Sequence, residues 1–182
     1  MDVVEALINH HATLRQLYQQ AETDPSAFDE FIHHLIVHHT MEEKYFYDLF
    51  QRFEEAEHAS LEALNEHHII EMILKDAEGF PRDHAHFPIK IEGLGEYTLH
   101  HLDEEEQEIF PLGQQLFNPE DLATLGQLFE EAKNKLLNIS LPDLPKALAA
   151  KFAANPEEES QVSVSAGTGV SGAAIGLGIG KI

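Results

Sequence analysis

The chain has 182 residues, enough for one domain with appendages, and carries 33 acids against 11 Lys and Arg for a net charge of −22. That balance argues against nucleic acid and against an anionic membrane surface as partners. There is no cysteine, which excludes disulfides, thiolate zinc sites and sulfur-ligated clusters.

The start MDVVEALINH has no basic n-region and no cleavage site, so a cytoplasmic location is expected. Residues 2–22 carry Val4, Leu7, His11, Leu14 and Tyr18 in one stripe at helical spacing. Thr23-Asp24-Pro25 ends that helix and starts the next, over residues 26–53. Residues 54–60 break the chain without Gly or Pro to fix the place, and residues 60–78 form a third helix. The segment 79–88, GFPRDHAHFP, is a loop. Residues 89–117 form a fourth helix, with Gly93 and Gly95 loosening its first turns. Asn118-Pro119 opens a fifth helix to about residue 138, and LPDLP (141–145) precedes a last helical turn or two. The expected fold is all-α: an up-down-up-down antiparallel four-helix bundle over 1–117, accessory C-terminal helices over 118–155, and a flexible Gly/Ser-rich tail over 156–182. The tail is too rich in Gly and Ser for a membrane span. The fifth helix could cover the bundle or join two chains as a homodimer.

The chemistry is concentrated in a repeat. HHLDEEEQEIFP begins at His100, with His101 and Glu105 four apart and so one turn apart on a helix face. HHTMEEKYFYD repeats it earlier, with His38 and Glu42 at the same spacing and Glu43 echoing Glu106. Ten of the thirteen histidines form five adjacent pairs. Neighbours on a helix point about 100° apart, so at most one member of each pair can look squarely inward. His11 lies on the apolar stripe of the first helix, where His10 does not. His39 makes a second stripe with Glu43, Phe46 and Phe50, but the repeat register selects His38. Ala63, Ile70 and Leu74 share a face with His67, and Glu71 stands one turn on as a ligand or a surface carboxylate.

Residues on neighbouring antiparallel helices lie level when they are equidistant from the turn between them. The midpoint of His11 and His38 falls at Asp24-Pro25, that of His67 and His101 at His84, and that of Glu42 and His67 at Glu54-Glu55. All three lie in the turns read above. His11, His38, Glu42, His67, His101 and Glu105 can therefore occupy one layer. Imidazole with carboxylate suits iron, manganese or zinc. Six ligands exceed one tetrahedral zinc and suit two octahedral ions, with the carboxylates bridging. Without metal those carboxylates are bare charges in an apolar core, so metal should contribute to the stability of the fold.

NHHATLRQLY, HHTMEEKYFYDLF, NEHHIIEMIL and HHLDEEEQEIFP together resemble the hemerythrin-like (HHE) family over residues 1 to about 117. The resemblance implies a non-haem centre of two iron ions on His11, His38, Glu42, His67, His101 and Glu105, binding dioxygen or nitric oxide or handling iron. The invertebrate oxygen carriers have His-x3-His in the third helix and His-x4-Asp in the fourth. Here His67 is followed by Glu71, and the fourth helix has His-x3-Glu, which leaves room for redox turnover. A ferritin-like arrangement would instead need Glu-x2-His on two helices, and Glu30/His33 and Glu55/His58 offer that spacing.

The end of the chain, GAAIGLGIGKI (172–182), resembles the loading peptides of encapsulin cargo. That resemblance implies an encapsulin shell protein as partner and a location inside its nanocompartment. Leu177 and Ile179, with Ile175 or Ile182, would be alternate knobs of an extended strand, and the glycines between them would let the backbone lie close to a groove.

Overall fold

A computed structural model describes residues 1–153 of the chain. The tail over 156–182, with the segment 172–182 expected to dock in a shell, lies outside the described residues. Among those described, all regular structure is helical.

Helix α1 (Val3–Thr23) is closed at its start by a reciprocal cap. The Asp2 carboxylate accepts from the Glu5 N–H at 2.9 Å, and Glu5 accepts from the Asp2 N–H at 3.1 Å. Asp24 then accepts from the Ser26 N–H, and Pro25 opens a 3-10 turn (Pro25–Ala27), so the first reversal lies where the Asp-Pro pair places it. Helix α2 (Phe28–Glu42) runs on through a π-helical turn (Glu43–Tyr47) into a last turn (Asp48–Phe50). A 3-10 turn (Glu54–Ala56) leads to α3 (Glu57–Glu78), which starts earlier than the residue-60 start read from sequence. Helix α4 (Phe87–Glu104) passes through a second π-helical turn (Glu105–Ile109) into α5 (Phe110–Leu116). Asn118 caps α6 (Pro119–Leu137), and a 3-10 turn (Leu141–Asp143) precedes α7 (Leu144–Ala153).

These elements make an up-down-up-down bundle in which α1 packs on α2 and α4, and α3 packs on α4. Helix α4 is not loosened by Gly93 or Gly95. Gly95 is there because the Tyr18 ring of α1 fills its side-chain space: a Cβ would sit 1.9 Å from Tyr18 Cε2. Helix α6 lies against α1 and α2 of its own chain. Its apolar residues Leu122, Leu125, Phe129 and Ala132 are spent there, and Gly126 meets the backbone of Asp2 and Val3.

The apolar core is divided in two. One cluster joins Val3, Val4 and Leu7 of α1 to Phe46, Phe50, Phe110 and the inward face of α6. The other joins Leu14, Tyr18, Phe28, Phe31, Leu35, Ile70, Leu74 and Leu94. In each rod a polar residue lies between the two sets: His11 between Leu7 and Leu14, His38 between Leu35 and Met41, His67 between Ala63 and Ile70, Glu105 between Leu102 and Ile109.

Candidate metal centre

The polar layer contains His11, His38, Glu42, His67, His101 and Glu105, all buried. Donor atoms of His11, His38, Glu42 and Glu105 lie within 4.8 Å of one another, as do those of Glu42, His67, His101 and Glu105. The two sets share both carboxylates. Imidazole and carboxylate atoms meet at 3.3 Å (His11 Nε2 to Glu105 Oε2), 3.4 Å (His38 Nε2 to Glu42 Oε2), 3.5 Å (His67 Nε2 to Glu42 Oε2) and 3.2 Å (His101 Nε2 to Glu105 Oε1). Two donors at right angles around one ion, each about 2.1 Å from it, lie about 3.0 Å apart. The observed spacings are close to that.

The backs of the rings are tied differently from their fronts. His11 Nδ1 donates to Glu106 Oε1 at 2.9 Å, His67 Nδ1 to Glu43 Oε1 at 2.9 Å, and His101 Nδ1 to Glu66 Oε2 at 2.7 Å. A carboxylate behind an imidazole fixes the tautomer that presents Nε2 as a lone-pair donor, which is how metal-binding imidazoles are held. Arg15 in turn holds Glu106 at 2.7 Å and Asp103 at 2.6 Å. In front, Nε2 of His11, His38, His67 and His101, both Glu42 oxygens and Glu105 Oε2 are buried without a hydrogen-bond partner. Each such atom costs about 1–3 kcal/mol unless satisfied. Four imidazole nitrogens converging on two shared carboxylates is the donor set that cations take, and the residues fit a metal-bearing centre.

The two π-helical turns explain the arrangement. A π turn takes about one residue more than an α turn, so the inward face recurs at i+5. Five residues after Glu42 and Glu105 come Tyr47 and Phe110, and both are buried. The Tyr47 hydroxyl donates to Glu105 Oε1 at 2.7 Å, and the Phe110 ring lies 5.4 Å from the His11 ring. Glu43 and Glu106, which directly follow the inward carboxylates, reach round to the imidazoles of neighbouring helices. The echo of Glu43 in Glu106 is visible in the sequence; the π turns are not.

Burial opposes charge on His11, His67 and His101, but the carboxylates beside them prevail and raise all three, His101 to about 9. Burial would raise Glu105, yet His101, His11 and His67 hold it well below the usual carboxylate range. Burial and Glu105 push Glu42 up to about 7. Burial, with His11 and His10 nearby, drives His38 well down.

Other candidates fall elsewhere. Glu71 is 54% exposed and pairs with Lys75, outside the layer. His68, His84 and His86 are exposed, and His58 of the ferritin-like spacing is 93% exposed. Two pairs depart from the one-in, one-out rule. His10 is buried because α6 covers that side, with Phe129 against its ring. His39 is buried as well, stacked on His67.

No helix among the described residues is long and apolar enough to cross a membrane. No curated protein matches the chain. The fold is similar to that of a solved structure from Mycobacterium kansasii, a hemerythrin HHE cation binding domain-containing protein described as an Rv2633c homolog. That match has a TM-score of 0.70 at 18% identity and covers 82% of this chain and 98% of the other. Residues 2–113 match the hemerythrin HHE cation binding domain, so the chain, with its paired His/Glu sets in one buried layer, belongs to that family.

Proposed function

We propose that the chain is a non-haem protein holding two iron ions, with His11 and His38 on one, His67 and His101 on the other, and Glu42 and Glu105 between them. The single observation that carries this is the pair of donor sets sharing both buried carboxylates. Iron held there would supply reversible electron transfer to a small ligand such as dioxygen or nitric oxide. The surrounding residues do the rest. Glu43, Glu66 and Glu106 orient three imidazoles, Tyr47 holds Glu105 in place, and Phe46, Phe50 and Phe110 keep bulk water from one side. We read the role as protection against oxidative or nitrosative stress, or iron handling.

A second reading is an oxidoreductase, a ferroxidase or peroxide consumer. It is favoured by the buried Tyr47 hydroxyl on Glu105 and by Glu66, which joins the centre to the surface as a path for protons. Optical titration of the iron-loaded protein separates the two. A change that reverses when oxygen or nitric oxide is withdrawn supports binding. Oxygen consumed at each further addition of ferrous iron supports turnover. Indifference to both gases and to iron rejects both readings.

We further propose that residues 172–182 dock the protein in an encapsulin shell, on the strength of the GLGIG segment. Deleting them should leave metal content intact and abolish co-purification with coexpressed shell protein; a truncated chain that still loads removes this proposal.

A further inference from the structure

Helix α1 stands apart in a chain of net charge −22. Between Glu5 and Glu22 it has no acid and a single base, Arg15. The exposed side of α3, by contrast, carries Glu57, Glu62, Glu71, Asp76 and Glu78. Ile8, Asn9, Ala12, Gln16 and Gln19 recur at helical spacing along the outward side of α1, and no element among the described residues covers them. Ile8 is 40% exposed and Met1 60%, and the Asn9 amide draws Met1 onto this side by donating to its sulfur at 3.2 Å. Loss of charge from one exposed face marks the centre of an interface. Helix α6 is not that interface, because its apolar side is spent on its own chain.

We propose that a second copy of this chain covers the face, with the two α1 helices antiparallel about a two-fold axis at Ala12. The face is complementary to itself in that arrangement. Residues about equally far from Ala12 on either side then lie level, and the axis sets each flank against the same flank of the other copy. At about 100° per residue, Asn9 and Gln16 share one flank, Ile8 and Arg15 share the other, and Glu5 and Gln19 lie near the midline. The Asn9 amide therefore meets the Gln16 amide, and Ile8 packs on the apolar stem of Arg15. The Gln19 amide donates to the Glu5 carboxylate. No acid opposes an acid, whereas the α3 face laid on itself would set carboxylates together. Ala12 on the axis lets the two backbones approach closely.

Sedimentation equilibrium of the full chain across a dilution series tests this, with circular dichroism and metal content as checks on folding. The wild type should associate to a dimer. Ala12→Glu sets two carboxylates against each other on the axis, and Ala12→Lys two ammonium groups. Each should weaken association about a hundredfold or more, as like charges facing each other do. An equimolar mixture of the two variants should recover the dimer, because Glu then meets Lys. Ala12→Gln, neutral but too large for close approach, should also weaken it and serves if a charge disturbs the helix. Asn65→Glu adds the same charge on the exposed side of α3 and should change nothing. A wild type monomeric at every concentration would overturn the proposal. So would a dimer that Ala12→Glu leaves intact, or one that Asn65→Glu weakens equally. A monomer whose loading into coexpressed shell protein falls with Ala12→Glu would overturn it too, and would give the face to the shell.

Discussion

Glu66 Oε2 lies 2.7 Å from His101 Nδ1, joining α3 to α4 behind the metal-facing side of the imidazole. The hydrogen bond holds His101 with Nε2 toward Glu105, at 3.2 Å from Oε1. It orients one donor of the layer without adding a donor itself. Glu66→Ala should therefore weaken metal binding about 10–100-fold, as loss of such partners does elsewhere. Competition against a chelator measures this. Glu71→Ala, which loses only a surface pair with Lys75, is the matched control and should change nothing.

Tyr47 brings a hydroxyl to the same carboxylate from α2's π-helical turn. Tyr47→Phe leaves the ring packing and removes one donor from a buried, ionised Glu105. Metal-free protein should lose about 1.5–3 kcal/mol of stability, the range for hydrogen bonds to charged groups. Denaturant unfolding reads that loss. Loaded protein should retain its metal but shift its optical spectrum; an unchanged spectrum would place Tyr47 among the merely structural aromatics.

The protonation of the layer gives a pH dependence with a definite sign. Burial opposes charge on His101, but Glu105 and Glu66 raise it from 6.5 to about 9. A raised imidazole contributes stability that is fully present below pH 6.5 and lost as pH rises through 9. His11 and His67 are raised too and act in the same direction. His38 and His39, kept neutral by burial, act only below 6.5. Metal-free protein should thus lose stability from pH 6.5 to 9. Metal competes with those same protons, so its affinity should rise over that interval. The gap between loaded and metal-free melting temperatures should widen with pH; a gap that narrows contradicts the assignment of the protons.

Gly126 carries α6 against the start of α1, where an added Cβ would meet backbone at 2.6 Å. Backbone cannot swing away as a flexible side chain can. Gly126→Ala should cost about 1–3 kcal/mol by overpacking. It should also raise hydrogen exchange around His10, which α6 covers through Phe129, without removing metal.

Much of this was legible in the chain itself. The six layer residues could be brought together because helices joined by short turns put equidistant residues level, and Asp24-Pro25 marks one such turn plainly. The rule of one inward histidine per pair worked for His67/His68 and His101/His100, on rods with one solvent face. It failed at His10/His11 because the covering of α1 by α6 is a tertiary event with no local signal. It failed at His38/His39 because α2 touches both halves of the layer. The π turns were invisible for a different reason. Spacing was read at helical period, whereas Glu42 to Tyr47 and Glu105 to Phe110 recur at five. Glu66 carried no motif at all, and its role comes only from its place opposite His101.

In the proposed centre two cations share Glu42 and Glu105. Metal analysis of purified wild type beside Glu105→Ala tests it most directly. Two iron ions per chain are expected in the wild type, and loss of both from Glu105→Ala, since one carboxylate serves both donor sets. A wild type that takes up no metal, or a Glu105→Ala variant that keeps two ions, would contradict it.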